Sequence, residues 1–177
     1  MLMMECGGDE WFHRQIEQLR KSLPFGSYEQ NKFVFTGIQL EQLPDFSIRA
    51  CQEDYVNSIM PVEVGKHRRS NPQEPVSETE MSHLRGLIGS LQYATTNTRP
   101  DVAAKLGEIQ VQLSKPTIQT LLEANKVLRE AQQTCDVSIF FRSIDPNQLT
   151  HVVFGDASFA SPKQLSSFQG TLVFATS

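Results

Sequence analysis

Three segments between residues 77 and 134 repeat apolar residues at the spacing of one helix face, and a proline-containing break separates each segment from the next. Residues three and four apart lie on the same side of a helix, so each segment predicts an amphipathic helix. Short breaks leave these helices to pack on one another, which predicts a three-helix bundle over residues 78–134. The stripes are Met81, Leu84, Leu87, Ile88 and Leu91; Val102, Leu106, Ile109 and Leu113; and Ile118, Leu121, Leu122, Val127, Leu128 and Ala131.

Helix-start signals lie in front of all three stripes. Ser77 and Glu80 have the spacing of a capping box, in which each residue satisfies a backbone N–H of the other. Pro100 is suited to the first turn of the second helix, and Thr117 is a candidate cap for the third.

The regions before and after the bundle contain sequence patterns typical of strands as well as of helices. Before the bundle, an amphipathic segment with Asp9 as its predicted cap precedes one predicted strand over "KFVFTGIQLEQ". A turn in "LPDFS", a returning strand in "IRACQ" and a short helix in "EDYVNSI" are predicted to follow. Residues 61–77 combine three prolines with a basic cluster, which predicts a linker or exposed loop. After residue 135, the runs "VSIFFR", "LTHVVFG" and "FQGTLVFAT" predict strands. The fold class predicted from these patterns is α+β.

The amino-acid composition limits which classes of function are expected for this chain. The net charge is −4, so contact with nucleic acid would depend on local basic residues rather than on a global positive field. Three widely spaced cysteines and four scattered histidines form no metal-ligand motif and suit a reducing compartment. We find no secretion signal and no apolar run near the ~20 residues that span a bilayer. An intracellular protein, in cytoplasm or nucleus, is therefore expected.

Asp156 is the acidic residue with the clearest functional alternative. It follows an apolar run in "VVFGDASFAS", where a carboxylate at a strand end can hold Mg²⁺ or simply face water. Spacing alone leaves both interpretations open, and it favours the solvated acid.

The segment "ETEMSHLRGLIGSLQYATTNTRPDVAAKLGEIQVQLSKPT" resembles the region that follows the polymerase palm in copia-type retrotransposon polyproteins. The matching positions are Glu80, the run 85–91, the Thr-Arg-Pro-Asp at 98–101, and Pro116 with Thr117. The Phe-Thr-Gly at 35–37 resembles the family's Phe-Leu-Gly in the primer-grip hairpin, with Thr36 in place of the usual leucine. Around Asp156, the residues Phe159, Ala160, Ser167 and Gly170 are similar to the opening hairpin of the copia-type ribonuclease H domain.

The resemblance implies four regions and a set of site residues. Residues 1–60 would be the end of the reverse transcriptase palm with its hairpin, 61–77 a linker, 78–134 a thumb-like bundle, and 135–177 the connection and an incomplete ribonuclease H-like sheet. Asp156 would be the first metal-binding, catalytic carboxylate of ribonuclease H, with Mg²⁺ as the parent family's cofactor. The implied nucleic-acid contacts are Phe35, Gly37, Arg85, Arg99 and Lys105.

The acids needed for catalysis are incomplete in this sequence. A two-metal site needs several carboxylates, whereas the second β run after Asp156 contains none. The Met-rich start, "MLMME", resembles the strand that follows the family's Tyr-x-Asp-Asp turn, which would place that turn just before it. We interpret Asp9 and Glu10 as helix-start residues rather than substitutes. We therefore expect a polyprotein fragment that neither polymerises nor cleaves nucleic acid alone. Its partners would be the rest of the polyprotein and an RNA/DNA duplex, bound weakly or not at all; no membrane partner is expected.

Two alternatives remain open. In the first, the chain is a non-catalytic nucleic-acid-binding module whose basic side chains contact phosphates. For most of these residues the competing interpretation is ordinary solvation beside acids, and Arg99 could instead pair with Asp101. The second alternative is a small helical interaction protein without a nucleic-acid role. The candidate phosphate contacts are Lys32, Lys66, Arg68, Arg69, Arg85, Arg99, Lys105, Lys115, Lys126 and Arg129.

The end segments are expected to be less stable than the bundle. A ribonuclease H hairpin without its remaining strands leaves an edge unpaired and an apolar face uncovered. We therefore predict weaker hydrogen-exchange protection for residues 1–8 and 135–177 than for 77–134, unless another chain completes them.

Overall fold

The computed structural model describes residues 10–23, 26, 29–145, 147–158 and 168–176. The chain divides into two compact units, Met1–Phe141 and Arg142–Ser177. Helices combine with antiparallel sheets in the described residues, which confirms the α+β class. The predicted Met-rich strand and the Asp9 cap lie outside the described residues.

A four-stranded antiparallel sheet belongs to the first unit. Its strands are β1 Lys32–Phe35, β2 Ile38–Gln42, β3 Ile48–Cys51 and β4 Ile139–Phe141, in the order β1-β2-β3-β4. The strand β4 pairs with β3, so that Ile139 lies opposite Ala50. This corrects the predicted boundary at residue 135, because "VSIFFR" joins the hairpin sheet rather than a separate ribonuclease H-like sheet.

The helices of the first unit are α1 Glu10–Ser22, α2 Glu53–Ser58, α3 Lys66–Arg69, α4 Glu78–Asn97, α5 Ala103–Gln112 and α6 Ile118–Gln133, with a 3-10 turn at Pro100–Val102. The three predicted amphipathic helices are thus confirmed as α4, α5 and α6. Ser77 and Glu80 form the predicted capping box at the start of α4. The short helix predicted in "EDYVNSI" is α2.

The core of the first unit lies between α4, α5 and α6 and includes the predicted stripes. Each stripe supplies side chains that are less than 2 % exposed, among them Leu84, Leu106 and Leu121. Full burial of one leucine contributes about 1.5–3 kcal/mol, so this interdigitated layer is the main source of stability in the unit. Val56 from α2 joins the same cluster, as do Val62 and Val64.

Residues 61–77 are packed, which corrects the prediction of a linker. Asn125 of α6 accepts a hydrogen bond from the Val62 N–H at 2.9 Å and donates one to the Val62 carbonyl at 2.8 Å. Further along, the Ile118 N–H donates to the Glu74 carbonyl at 2.9 Å. The prolines suppress regular secondary structure, but they do not prevent this segment, called the strap below, from joining the bundle core.

The second unit contains an antiparallel pair, β5 Thr150–Ser158 and β6 Phe168–Thr176. The pairing runs from Thr150 opposite Thr176 to Ser158 opposite Phe168. Both faces carry apolar side chains that are largely exposed, including Val153 and Phe154 at 60 % each. The β runs predicted in "LTHVVFG" and "FQGTLVFAT" are confirmed as these strands.

Within the described ranges, none of the helices has the length and apolar character required to cross a bilayer.

Candidate nucleic-acid interface

The β1–β2 hairpin closes through a two-residue turn at Thr36 and Gly37. Both residues have positive φ, 49° at Thr36 and 81° at Gly37, as a type I′ turn requires. Phe35 and Ile38 pair across the base of the turn. Glycine adopts this conformation without steric cost, whereas Thr36 is a β-branched residue held in the left-handed region. Phe35 is 52 % exposed, so its ring is accessible at the tip of the hairpin.

Two tyrosines hold this turn against helix α4. The Tyr93 hydroxyl donates a hydrogen bond to the Thr36 carbonyl. The Tyr55 ring packs edge-on against Tyr93, with ring centroids 5.1 Å apart and an interplanar angle of 71°. A Cβ atom added at Gly37 would lie 3.5 Å from the Tyr55 ring. The Tyr55 hydroxyl in turn donates to the Ser90 carbonyl at 3.2 Å.

Sequence reasoning missed Tyr55 and Tyr93, although they fix the position of the predicted hairpin. Tyr55 lies in the short helix α2, and Tyr93 lies on the face of α4 outside its apolar stripe. The sequence signal at both positions is a side chain that combines an aromatic ring with a polar hydroxyl.

Arg85 lies on helix α4 and is exposed. Its guanidinium makes no ion pair and no hydrogen bond with the described part of the chain, and its donors therefore face solvent. A free guanidinium on a rigid helix is suited to a bidentate contact with a phosphate.

Arg99 was predicted as a nucleic-acid contact, and the structure corrects this. The residue is fully buried. Its guanidinium donates to both carboxylate oxygens of Asp101 at 2.9 and 2.8 Å, to the Ala131 carbonyl at 2.7 Å and to the Thr134 hydroxyl at 2.6 Å. These contacts tie the turn after α4 to the end of α6. The competing structural interpretation, pairing with Asp101, is the one that the geometry supports.

Lys105 is exposed on α5, but its ammonium group forms an ion pair with Glu130 of α6. Hydrogen bonding to Lys105 lowers the pKa of the Glu130 carboxyl, and the charges of Lys105 and Lys126 act in the same direction. A phosphate would have to compete with this carboxylate, so Lys105 is a weaker candidate than Arg85.

The remaining basic candidates fall into two groups. Arg68 is occupied, because its guanidinium contacts both oxygens of Glu80 at 3.2 and 2.7 Å and also pairs with Glu74. Arg69 is exposed but donates to the Val64 carbonyl at 2.9 Å. The candidates that are exposed and form no ion pair within the described residues are Lys32, Lys66, Lys115, Lys126 and Arg129.

Asp156 lies on β5 opposite Gly170 and is exposed. Across the described ranges, no three His, Cys, Asp or Glu side chains converge as a metal site would require. The other residues of the predicted ribonuclease H motif, Phe159, Ala160 and Ser167, lie outside the described residues. One carboxylate at this position can neutralise only part of the charge of a divalent cation.

Comparison with known proteins gives no assignment. The chain matches no protein-family model, no curated protein and no solved structure.

Proposed function

We propose that this chain is the duplex-holding, non-catalytic part of a copia-type retrotransposon reverse transcriptase and ribonuclease H polyprotein. Its parent activity would be RNA-directed DNA synthesis. The observation that carries the proposal is the β1–β2 hairpin, whose turn is bonded to helix α4 through Tyr93. This contact holds an exposed aromatic ring, Phe35, on the same framework as the exposed cation Arg85.

The proposed mode of binding follows from the chemistry of these two groups. An exposed aromatic ring can stack on a base or a sugar without reading sequence. A guanidinium can neutralise a phosphate and release its counterions, which makes binding dependent on salt. The aromatic pair beneath the turn keeps the hairpin from moving relative to α4, so less entropy is lost when a duplex binds.

We propose no polymerase or nuclease turnover for the chain alone. Hydrolysis through paired Mg²⁺ ions would require further carboxylates beside Asp156, supplied by the rest of the polyprotein. Mg²⁺ would then belong to the complete parent enzyme, and Asp156 would be its first ligand.

Fluorescence anisotropy with a labelled RNA/DNA hybrid tests the proposal. We expect binding that weakens steeply with salt, and an Arg85→Gln variant whose log–log salt slope is smaller by about one. Phe35→Ser should weaken binding, because stacking of one base contributes about 1–3 kcal/mol.

Arg14→Gln is the matched control, because Arg14 is an exposed arginine of helix α1 that pairs only weakly with Glu10. It should leave both affinity and salt slope unchanged. Equal effects of Arg14→Gln and Arg85→Gln, or binding that does not respond to salt, would contradict the proposed site.

A further inference from the structure

The four-stranded sheet and the helical bundle are joined by directional contacts rather than by a shared apolar core. The buried apolar cluster between the helices includes side chains of α2, the strap and α4–α6, but within the described residues it includes none from β1–β4. One contact between sheet and helices is the hydrogen bond from Tyr93 to the Thr36 carbonyl. Another joins the Gln39 amide of β2 to the Asp54 carboxylate of α2 at 2.8 Å. Because apolar packing has no direction of its own, we expect contacts of this kind to set the orientation of the sheet.

A more deeply buried contact lies where the sheet meets the helices. Gln52 is the single residue between the end of β3 and the start of α2, and its side chain is fully buried. Its side-chain oxygen Oε1 accepts a hydrogen bond of 2.9 Å from the hydroxyl of Thr98, which follows α4 and is only 1 % exposed. Gln52 thus joins β3 to α2 through its backbone, and it joins both to the end of α4 through its side chain.

The side-chain amide of Gln52 is only partly satisfied. Its Nε2 donor is excluded from solvent and has no hydrogen-bond partner among the described residues. A buried donor without an acceptor lowers the stability of the folded state. Replacing both Gln52 and Thr98 by apolar side chains of similar shape would remove this cost, because no polar group would then be left unpaired.

We propose that the Gln52–Thr98 contact positions the β1–β4 sheet on the bundle, and that it does so at a cost in stability. The hydrogen bond forms in one relative arrangement of sheet and helices. A shift of the sheet would leave the Thr98 hydroxyl and both ends of the Gln52 amide unpaired in the interior, whereas apolar contacts would tolerate the shift. The proposal concerns the free chain, so it stands or falls independently of duplex binding.

Thermal unfolding of the double variant Gln52→Met/Thr98→Val tests the cost in stability. Methionine keeps the length of the glutamine side chain, and valine keeps the shape of threonine. We expect the midpoint of unfolding to stay within about 1 °C of the wild-type value or to rise above it. A midpoint that falls by more than about 1 °C would overturn the proposal, because the contact would then be an ordinary stabilising bond.

Amide NMR spectra of the same variant test the positioning role. Wild-type amides of β1 and β2 should each give one sharp signal. In the double variant these signals should broaden or split, because the sheet exchanges between arrangements, while amides in the centres of α5 and α6 should keep single sharp signals. Sheet signals as sharp and single as those of the wild type would overturn the proposal.

Thr120→Val is the matched control, because it removes a buried hydroxyl from within the bundle. Thr120 is 2 % exposed, donates to the Gln112 side chain at 2.9 Å and accepts from the Thr117 N–H at 3.2 Å. The control should lower the midpoint of unfolding, since it leaves the Thr117 N–H without this acceptor, and should leave the sheet signals single. Equal broadening of the sheet signals in the control and the double variant would contradict a specific positioning role.

Discussion

Arg85 and Arg99 were predicted to share one role, but the structure gives them opposite environments. Arg85 projects into solvent from the polar side of α4, whereas Arg99 is buried and bonded to Asp101, Ala131 and Thr134. Sequence could indicate the pairing of Arg99 with Asp101, since the two lie close along the chain. It could not show that the end of α6 closes over the guanidinium, because that contact depends on the packing of the bundle.

Arg99→Ala should therefore lower the stability of the fold rather than duplex affinity alone. The change leaves the buried Ala131 carbonyl without its donor and removes the bonds to Asp101 and Thr134, and we expect a loss of about 2–4 kcal/mol in the free energy of unfolding. Urea titration monitored by circular dichroism at 222 nm measures it. Arg85→Ala, the exposed control, should change the same free energy by less than about 0.5 kcal/mol. Similar losses for both variants would contradict the assignment of Arg99 as a structural residue.

Ionisation of Glu80 should make the stability of the bundle depend on pH in the acid range. Its hydrogen bonds with Arg68 lower the pKa of the Glu80 carboxyl to about 2, and bonding to Ser77 adds to the effect. A folded-state pKa below the unfolded value means that the stabilisation is present above pH ~4.5 and is lost as pH falls toward ~2. We expect Glu80→Gln to lower stability at neutral pH by about 1–2 kcal/mol, because it weakens charge-assisted hydrogen bonds and the cap of α4, and to reduce the loss on acidification.

Urea titrations at several pH values between 2 and 7 measure this difference. Glu74→Gln is the control: Glu74 pairs with the same guanidinium but makes no contact in the capping box. Parallel stability curves for wild type and Glu80→Gln across this range would contradict the lowered pKa of Glu80, and coincident curves would show that its network does not stabilise the fold.

At the scale of single elements, the β1–β2 hairpin shows which parts of the fold the sequence could predict. The β character of this segment was predicted, but as one strand over "KFVFTGIQLEQ", whereas the structure turns at Thr36 and Gly37 and divides it into β1 and β2. The support beneath the turn could not be predicted, because Tyr55 and Tyr93 lie on two other elements and meet only after the helices pack. The left-handed conformation of Thr36 also depends on the strand register.

Substitutions at the two residues of the turn should change stability in opposite directions. Thr36→Asn should raise stability by about 0.5–1 kcal/mol, because asparagine tolerates the left-handed conformation better than a β-branched residue. Gly37→Ala should lower it by about 1–2 kcal/mol, because a side chain at φ 81° is strained. Thermal unfolding measured by differential scanning calorimetry distinguishes the two. Destabilisation by both variants would exclude the type I′ assignment.

At the scale of the whole molecule, sequence patterns predicted the bundle far better than the boundaries of the regions. Helical periodicity depends on neighbouring residues, and the predicted helices of the bundle are present. The positions of residues 61–77 and of β4 depend on contacts distant in sequence, such as Val62 with Asn125 and Ile139 with Ala50. Proline content suppresses periodicity in a packed segment as much as in a linker, so that signal was misleading.

Protection against hydrogen exchange should differ between the two units. In dilute protein, amides of β5 and β6 should exchange at least about tenfold faster than those in the centres of α4 and α6. Among the described residues these two strands pair only with each other, and a two-stranded hairpin alone is marginally stable. Mass spectrometry of peptides from the two units measures this difference. Uniform strong protection at low protein concentration would contradict it.

The strap makes the apparent start of the bundle at Ser77 an unsuitable point at which to shorten the chain. Glu74 supplies its carbonyl to Ile118, Pro72 supplies one to Gln119, and Arg68 reaches Glu80. A polypeptide trimmed to begin at residue 77 would leave the first turn of α6 and the cap of α4 without these contacts. Soluble expression of the helices is therefore expected to require a start upstream of Pro61.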